Sequence, residues 1–412
     1  MINLKLLILG GGNCQLNAIL RAKQKGHTVI VSDYYEDAPG KKYCDYSELG
    51  STFSIDDNIN IARKYDIDGI LTLGTDQPVY TVASVAKEAK LPSFLDLDTA
   101  KAVTNKKIMK NIFKLNSVPT AKFAFLKSDF KDCDLEHMCF PVVIKPLDSQ
   151  GQRGVYKLNS IAQIREYFDD VLSYSRQEEV LVEEYYENDE ITVSGWVEND
   201  NTHVLTITDR VTYDNYPSIG ICTAHDFPSK HFKNYAKEII EISKDIVKIF
   251  KIHNGPIYFQ MLIGKEGIKV NEIACRIGGA YEDEFIPQLT GIDILDMVID
   301  YSLGENIDYT NLREYEVLNN NKKLSVQLLF AKPGTIKSVE NLTKVRNLPG
   351  VINSKINFKP SDEIKEITNA TQRVGYMIIE GDNHKDLKDN IDRAFDNIAI
   401  YDKNNSNMII KF

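Results

Sequence analysis

The first 95 residues alternate apolar, β-rich runs with helical patterns at short intervals, and few folds accept that rhythm. "LKLLILG" is followed by "QLNAILRAKQKG" with Gly26 as a helix stop, then "TVIVSDY", a helix near "DNINIARKY", "DGILTLG" and "VYTVASVAKEAK". Parallel strands need long crossovers, and helices supply them, so the pattern predicts a parallel βαβ sheet. Its first turn, "GGGNCQ", sets Gly10 and Gly12 as in a dinucleotide-binding G-x-G-x-x-G, and Asp33 ends the second strand where a ribose-binding acid would sit. Gln15 stands at the third glycine position, so close helix packing under a pyrophosphate is not provided for. An NAD-dependent oxidoreductase is one reading of this turn, and a plain glycine turn in an α/β domain is another.

A chain of 412 residues with 43 % hydrophobic side chains is too long for one ordinary domain and can bury two or three cores. From residue 96 the texture becomes α+β: two helices ("LDTAKAV", "NKKIMKNIFKLN"), short strands, a glycine loop, and the strand pair "IYFQMLIGKEGIKVNEIACRIGG". The polar stretch near 304 to 322, "GENIDYTNLREYE", reads as a linker. After it come strands ("LSVQLLFAKPGTIKSV", "GYMIIEG") and a closing helix at 384 to 399. The expected domains are 1–95, 96–304 and 305–412. No apolar run reaches the roughly 18 residues of a membrane span, and no signal-peptide pattern is present, so a soluble, cytoplasmic protein is expected. Six cysteines without a CxxC pair fit reduced thiols. A net charge of −10 argues against a nucleic-acid surface. Any polyphosphate must then be held by a few locally placed cations, which favours a small ligand. A homodimer, the commonest closed symmetry, is the assembly to test for.

Three constellations carry chemistry. In "FPVVIKPLDSQGQRGVYKL", residues 140–158, Lys145 emerges where a buried strand becomes a glycine loop. Glycine N–H groups with a lysine beside them suit a phosphate chain, although an ordinary hairpin with a solvated lysine has the same appearance. In "VLVEEYYEN" an apolar strand ends in acids and tyrosines, where exposed backbone can pair with the edge of a flat base, and Glu190 lies within reach of a ribose; an acidic surface turn would look the same. Gln260 and Glu272 lie on two strands joined by "IGKEGI" and can share one face, as Mg²⁺ bound jointly by protein and nucleotide would require. Arg276 follows Glu272, and could simply pair with it.

In this order the pieces resemble the ATP-grasp superfamily of carboxylate–amine ligases, across nearly the whole chain. The resemblance implies a mixed α/β and α+β fold: an N-terminal parallel domain, a central ATP-clamping domain with a lid subdomain at about 118–188, and a C-terminal closing domain. It implies ATP with Mg²⁺ or Mn²⁺, held by Lys106, Lys145 and the lid residues Ser149, Gln150, Gly151 and Gly154. Glu183, Glu184 and Tyr186 resemble the adenine hinge, with Glu190 on the ribose. Gln260 and Glu272 resemble the metal ligands, and Arg276 resembles the arginine that steadies an acyl-phosphate. The usual E-x-N-x-R reads "EIACR" here, with Ala274 at the asparagine position, a pattern similar to that of bacterial L-amino acid ligases. The "QVEH" element of biotin carboxylases is absent, which disfavours bicarbonate activation. The expected reaction joins a carboxylate, an amino acid by this resemblance, to an amine through an acyl-phosphate, releasing ADP and phosphate. Residues 208–230, with Arg210 and His225, are the expected acceptor loop. Asp76 and Gln77 follow as weaker candidates, being at a strand's carboxyl end. A glycinamide-ribonucleotide-type purine ligase would share the same clamp, and loss of catalysis through Ala274 would leave a non-catalytic ATP-binding module.

Overall fold

The computed structural model describes residues 3–412. Strands β1 (Lys5–Leu9), β2 (Thr28–Asp33), β3 (Tyr46–Leu49) and β4 (Gly69–Leu71) form a parallel sheet in the order β3-β2-β1-β4. Leu6 to Leu9 and Val29 to Val31 are fully buried, as strands covered on both faces require. The strand order reverses at β1, so the crevice at the carboxyl ends of β1 and β4 is where such a sheet offers a binding site. The glycine turn itself is filled. Gln15 Oε1 accepts from Gly12 N at 3.1 Å, its Nε2 donates to Leu73 O at 2.6 Å, and Asp33 accepts from Gly11 N at 2.7 Å. Gln15 and Asp33 are thus engaged with backbone groups of and beside the turn, which tells against the dinucleotide reading.

The central region opens with β5 (Phe123–Lys127), β6 (Val142–Pro146), β7 (Tyr156–Leu158) and β8 (Glu179–Glu184), antiparallel in the order β7-β6-β8-β5. The glycine loop links β6 to β7. Next come β9 (Asp189–Glu198), β10 (Asn201–Asn215), β11 (Ser218–Phe227), β12 (Gly255–Gly264) and β13 (Gly267–Ala274), in the order β13-β12-β9-β10-β11. Helix Phe232–Ile249 packs against β10 through Ala236, Ile239, Ser243, Ile246 and Val247, spaced as one helical face. The acceptor loop expected over 208–230 is mostly a long hairpin. β10 and β11 pair with Arg210 opposite His225, and both side chains are buried. The β-branched runs extend pairing on both sides of a tight turn at Tyr216–Pro217, so the charges that read as surface polarity face inward.

β14 (Lys323–Ala331) joins the C-terminal sheet to the central one by pairing with β11 on one side and with strand Gly375–Gly381 on the other. It divides its side chains between two cores. Leu324, Val326, Leu328 and Phe330 enter the large core shared with the other domains, while Leu329 and Ala331 face helix His384–Asn397 and its cluster. The expected linker is a packed strap instead: Leu312 is buried, Arg313 pairs with Glu198, and Tyr315 donates to Leu205 O at 2.9 Å. Its apolar residues, Ile307, Tyr309, Leu312, Tyr315 and Val317, recur every second or third position and give it a face to bury, which the polar composition hid. Among the described residues no helix is long and apolar enough to cross a membrane.

The three regions meet at helix Glu282–Thr290. Asn17 donates to Asp283 at 2.8 Å and to Glu284 at 2.7 Å, and Glu284 also accepts from Asn353 at 2.6 Å and from the Tyr376 hydroxyl. Burial, with Glu284 and Glu282 nearby, pushes the Asp283 carboxyl up to about 7. The folded protein therefore binds more protons here than the unfolded chain between about pH 4 and 7, and this contribution to stability falls as pH rises through that window. Asp283→Asn is expected to gain on the order of 2 kcal/mol over the wild type at pH 8 and little at pH 4. Urea midpoints at the two pH values check this, and an equal shift at both would remove Asp283 from the titration.

Candidate active site

The cavity, of about 430 Å³, lies where the carboxyl end of β4, the glycine loop, the β12–β13 pair and the C-terminal segment Ala370–Arg373 converge. On its floor Gln260 stands directly opposite Glu272. The register then slips, with Met261 opposite Val270, so Asn271 has no cross-strand partner. A bulge of this kind turns two successive residues toward one side, and both Asn271 and Glu272 line the cavity. Ala274, at the expected metal-ligand position, is buried away from it.

Lysines meet the floor from two elements. Lys145, next to the end of β6, donates to Asn271 Oδ1 at 2.9 Å and pairs with Glu183. Lys106 begins helix Lys106–Leu115, whose first turn Asn105 caps, and its Nζ lies 3.0 Å from Ser149 O and 3.4 Å from Glu272. One turn on, Lys110 is 1 % exposed and reaches Glu183 Oε1 at 2.6 Å. Burial lowers the Lys110 ammonium to about 8 against the pull of Glu183. Burial alone would raise the Glu183 carboxyl, but Lys110 and Lys145 outweigh it and hold the group at about 2. The Glu183 side chain is thus a buried counterion for two lysines. Glu184, one residue on, points the other way to Lys122 at 3.3 Å, as strand alternation dictates. Tyr185, Tyr186 and Asn188 continue along the cavity wall. The Tyr186 hydroxyl is pinned to the β12–β13 turn by Gly267 O at 2.8 Å.

Over this cluster the glycine loop is clasped from both flanking domains. Gln150 Oε1 accepts from Asp76 N at 2.8 Å and Gln77 N at 3.3 Å, and Gly151 O accepts from Ala370 N at 3.0 Å. Gly154 has φ +69°, and a Cβ there would lie 2.8 Å from the Tyr174 ring, so the loop's return needs glycine. On the ATP expectation that the sequence resemblance implies, Gln150→Ala should raise KM for ATP about tenfold, since two neutral hydrogen bonds contribute roughly 1–3 kcal/mol together. Initial rates at saturating co-substrate test this, and an unchanged KM would disconnect the clasp from nucleotide binding.

Two further ion pairs complete the wall. Glu190, expected at a ribose, accepts from Arg210 at 2.6 Å and from Gln260 at 2.7 Å. Arg276 pairs with Asp76, not Glu272, its Nε 2.7 Å from Oδ1 and its guanidinium 4.6 Å from the Tyr258 ring centre. His225 is neutral: burial, then Arg210 and Arg373, lower it to about 3. Its ring nitrogens face Thr208 and Cys222. The structure thus brings Lys106, Lys145, Ser149, Gln150, Gly151, Glu183, Glu184, Tyr186, Glu190, Arg210, Gln260, Glu272 and Arg276 to one cavity, with the Glu184 carboxylate turned to Lys122. Sequence reasoning passed over Lys110, Asn271 and Arg373. The first could have been found as a lysine on the apolar face of its helix, beside Met109 and Phe113.

Residues 138–284 match the ATP-grasp domain, and residues 327–402 match the L-amino acid ligase C-terminal domain 2. Dapdiamide A synthase of Enterobacter agglomerans is 21 % identical over 352 residues, covering 80 % of this chain and 78 % of that protein. An L-amino acid ligase from Bacillus licheniformis is similar in structure, with a TM-score of 0.80 at 18 % identity over 98 % of this chain and 100 % of that one. A phosphoribosylglycinamide synthetase from Anaerococcus prevotii has a TM-score of 0.76 at 21 % identity over 98 % and 100 %. At these identities the structural likeness speaks for the fold.

Proposed function

We infer that this chain, an ATP-grasp protein closed by the C-terminal domain of the L-amino acid ligases, is an ADP-forming carbon–nitrogen ligase that joins an amino acid's carboxylate to an amine. The observation that carries the reading is the convergence of Lys106 on Glu272 and of Lys145 on the adjacent Asn271, beneath the clasped glycine loop. A carboxylate oxygen attacks the γ-phosphorus of ATP and the bond to the β-phosphate oxygen breaks, giving ADP and an acyl-phosphate. The amine then attacks the acyl carbon, loses a proton and expels phosphate.

In this reading Lys106 and Lys145 offset charge on the transferring phosphoryl group, and the loop keeps water from the acyl-phosphate. Arg276, oriented by Asp76, faces the oxyanion of the tetrahedral adduct. Glu272 and Gln260, paired in register on the cavity floor with the Asn271 oxygen beside them, fit Mg²⁺ or Mn²⁺, which would supply countercharge to the terminal phosphates. We assign residues 1–95, 96–304 and 305–412 to the N-terminal, ATP-grasp and closing domains.

The test is a phosphate-release screen of amino acids and small carboxylates, singly and in pairs, with Mg²⁺-ATP. The expected result is ADP and phosphate in equal amounts once both substrates are present. AMP with pyrophosphate would overturn the reading. Turnover with phosphoribosylamine and glycine alone would favour the purine-type ligase, for which the Gln15-filled turn offers no phosphate site.

A further inference from the structure

Most cations along the cavity have carboxylate partners: Lys106 with Glu272, Lys110 and Lys145 with Glu183, Arg210 with Glu190, and Arg276 with Asp76. Among the described residues Arg153 and Arg373 stand in no ion pair, and they differ in position. Arg153 belongs to the glycine loop, where phosphate is its natural partner. Arg373 comes from the C-terminal domain and enters beyond Arg276, where Cys14 and Gly279 also line the cavity. Its Nη1 donates to Gly279 O at 3.0 Å, and the guanidinium carbon lies 5.8 Å from the Tyr281 ring centre. Its Nε is buried and has no hydrogen-bond partner.

A buried guanidinium N–H left without an acceptor is unfavourable, and the unused edge is the one formed by Nε and Nη2. That edge presents two parallel N–H groups at the spacing of a carboxylate's two oxygens, and Arg is suited to this planar, two-point recognition. With Nη1 tied to Gly279 and the ring of Tyr281 alongside, the fork is held in place before any ligand arrives.

Resting on the ligase reading, we propose that Arg373 is a specificity residue which binds the carboxylate of the amine substrate through its Nε/Nη2 edge. The closing domain would then select the nucleophile, while the ATP-grasp domain activates its partner. The acceptor's carboxylate is seated here, away from the lysines, so that its amine and not its carboxylate faces the acyl-phosphate.

The experiment compares an acceptor amino acid found by the screen with its α-carboxamide, which keeps the amine and the side chain but lacks the charge. Wild-type protein is expected to favour the acid in kcat/KM. Arg373→Gln, and more mildly Arg373→Lys, should lower the acid-to-amide ratio about tenfold or more, the usual worth of a charge-assisted fork. A ratio unaltered in both variants, or a loss expressed chiefly in KM for ATP, would overturn the proposal and mark Arg373 as a structural or phosphate contact. Should the variants fail to fold, a wild-type protein that uses acid and amide equally well overturns it by itself. Absence of phosphate release with any pair would instead defeat the ligase reading, and this inference with it.

Discussion

Glu272→Gln is expected to lower phosphoryl transfer by about a thousandfold or more while ATP still binds in weakened form. Metal-held charge is worth several kcal/mol in such a transition state. The carboxylate faces Lys106 at 3.4 Å and is held below the usual range: burial opposes this, but Lys106, Lys145 and Arg276 outweigh it. The amide keeps the shape and loses the charge that a divalent ion requires. Nucleotide affinity should survive because, on the proposed reading, Lys145 and the loop would reach the phosphates from other elements. Single-turnover assays with chromatography of ADP, alongside calorimetry for ATP, separate the two effects. A variant retaining a tenth of the wild-type rate would move the metal role away from Glu272.

Glu183→Gln should destabilise the protein by about 3–5 kcal/mol, the cost of breaking a buried ion pair from one side. Lys110 and Lys145 would share the interior with no anion between them. The same carboxylate predicts acid behaviour. Its folded value of about 2 lies below the ordinary 4.5, so its contribution to stability is complete above pH 4.5 and disappears as pH falls through 2. Urea midpoints at neutral pH, followed by acid titration, test both statements. The variant should begin with a lower midpoint and lose less of it between pH 5 and 3; a midpoint equal to the wild type's would show that the two lysines are satisfied by other groups. Lys145→Ala is milder, because Glu183 keeps Lys110.

Much of the site was legible because it follows from local periodicity. Val142 to Ile144 mark a buried strand, so Lys145 had to appear at its end, and glycines at 151 and 154 mark the loop beyond it. Gln260 and Glu272 flank a tight turn, and counting outward from it brings them within one residue of each other; the bulge at Asn271 then sets them directly opposite. The alternation in the first 95 residues likewise set the parallel sheet and directed attention to Asp76 at a strand's carboxyl end. Apart from that bulge, each of these depends only on the spacing of neighbours along the chain.

What the sequence left open is who meets whom. The parity of "VLVEE" sends Glu183 and Glu184 to opposite faces, but nothing local says that the inner one meets a lysine from a helix and another from a strand end. One unpaired residue at Asn271 shifts the phase of β13, and such a slip depends on the partner strand. Arg210 and His225 read as loop charges until β10 and β11 paired far enough to bury them. Arg373 lies in a segment whose residues bear no mark of a site, and it reaches the cavity only because β14 joins the closing sheet to β11. Short-range spacing determines which face a side chain takes, whereas its partner, and with it the charge state, burial and chemistry of the group, comes from contacts between segments far apart in the chain.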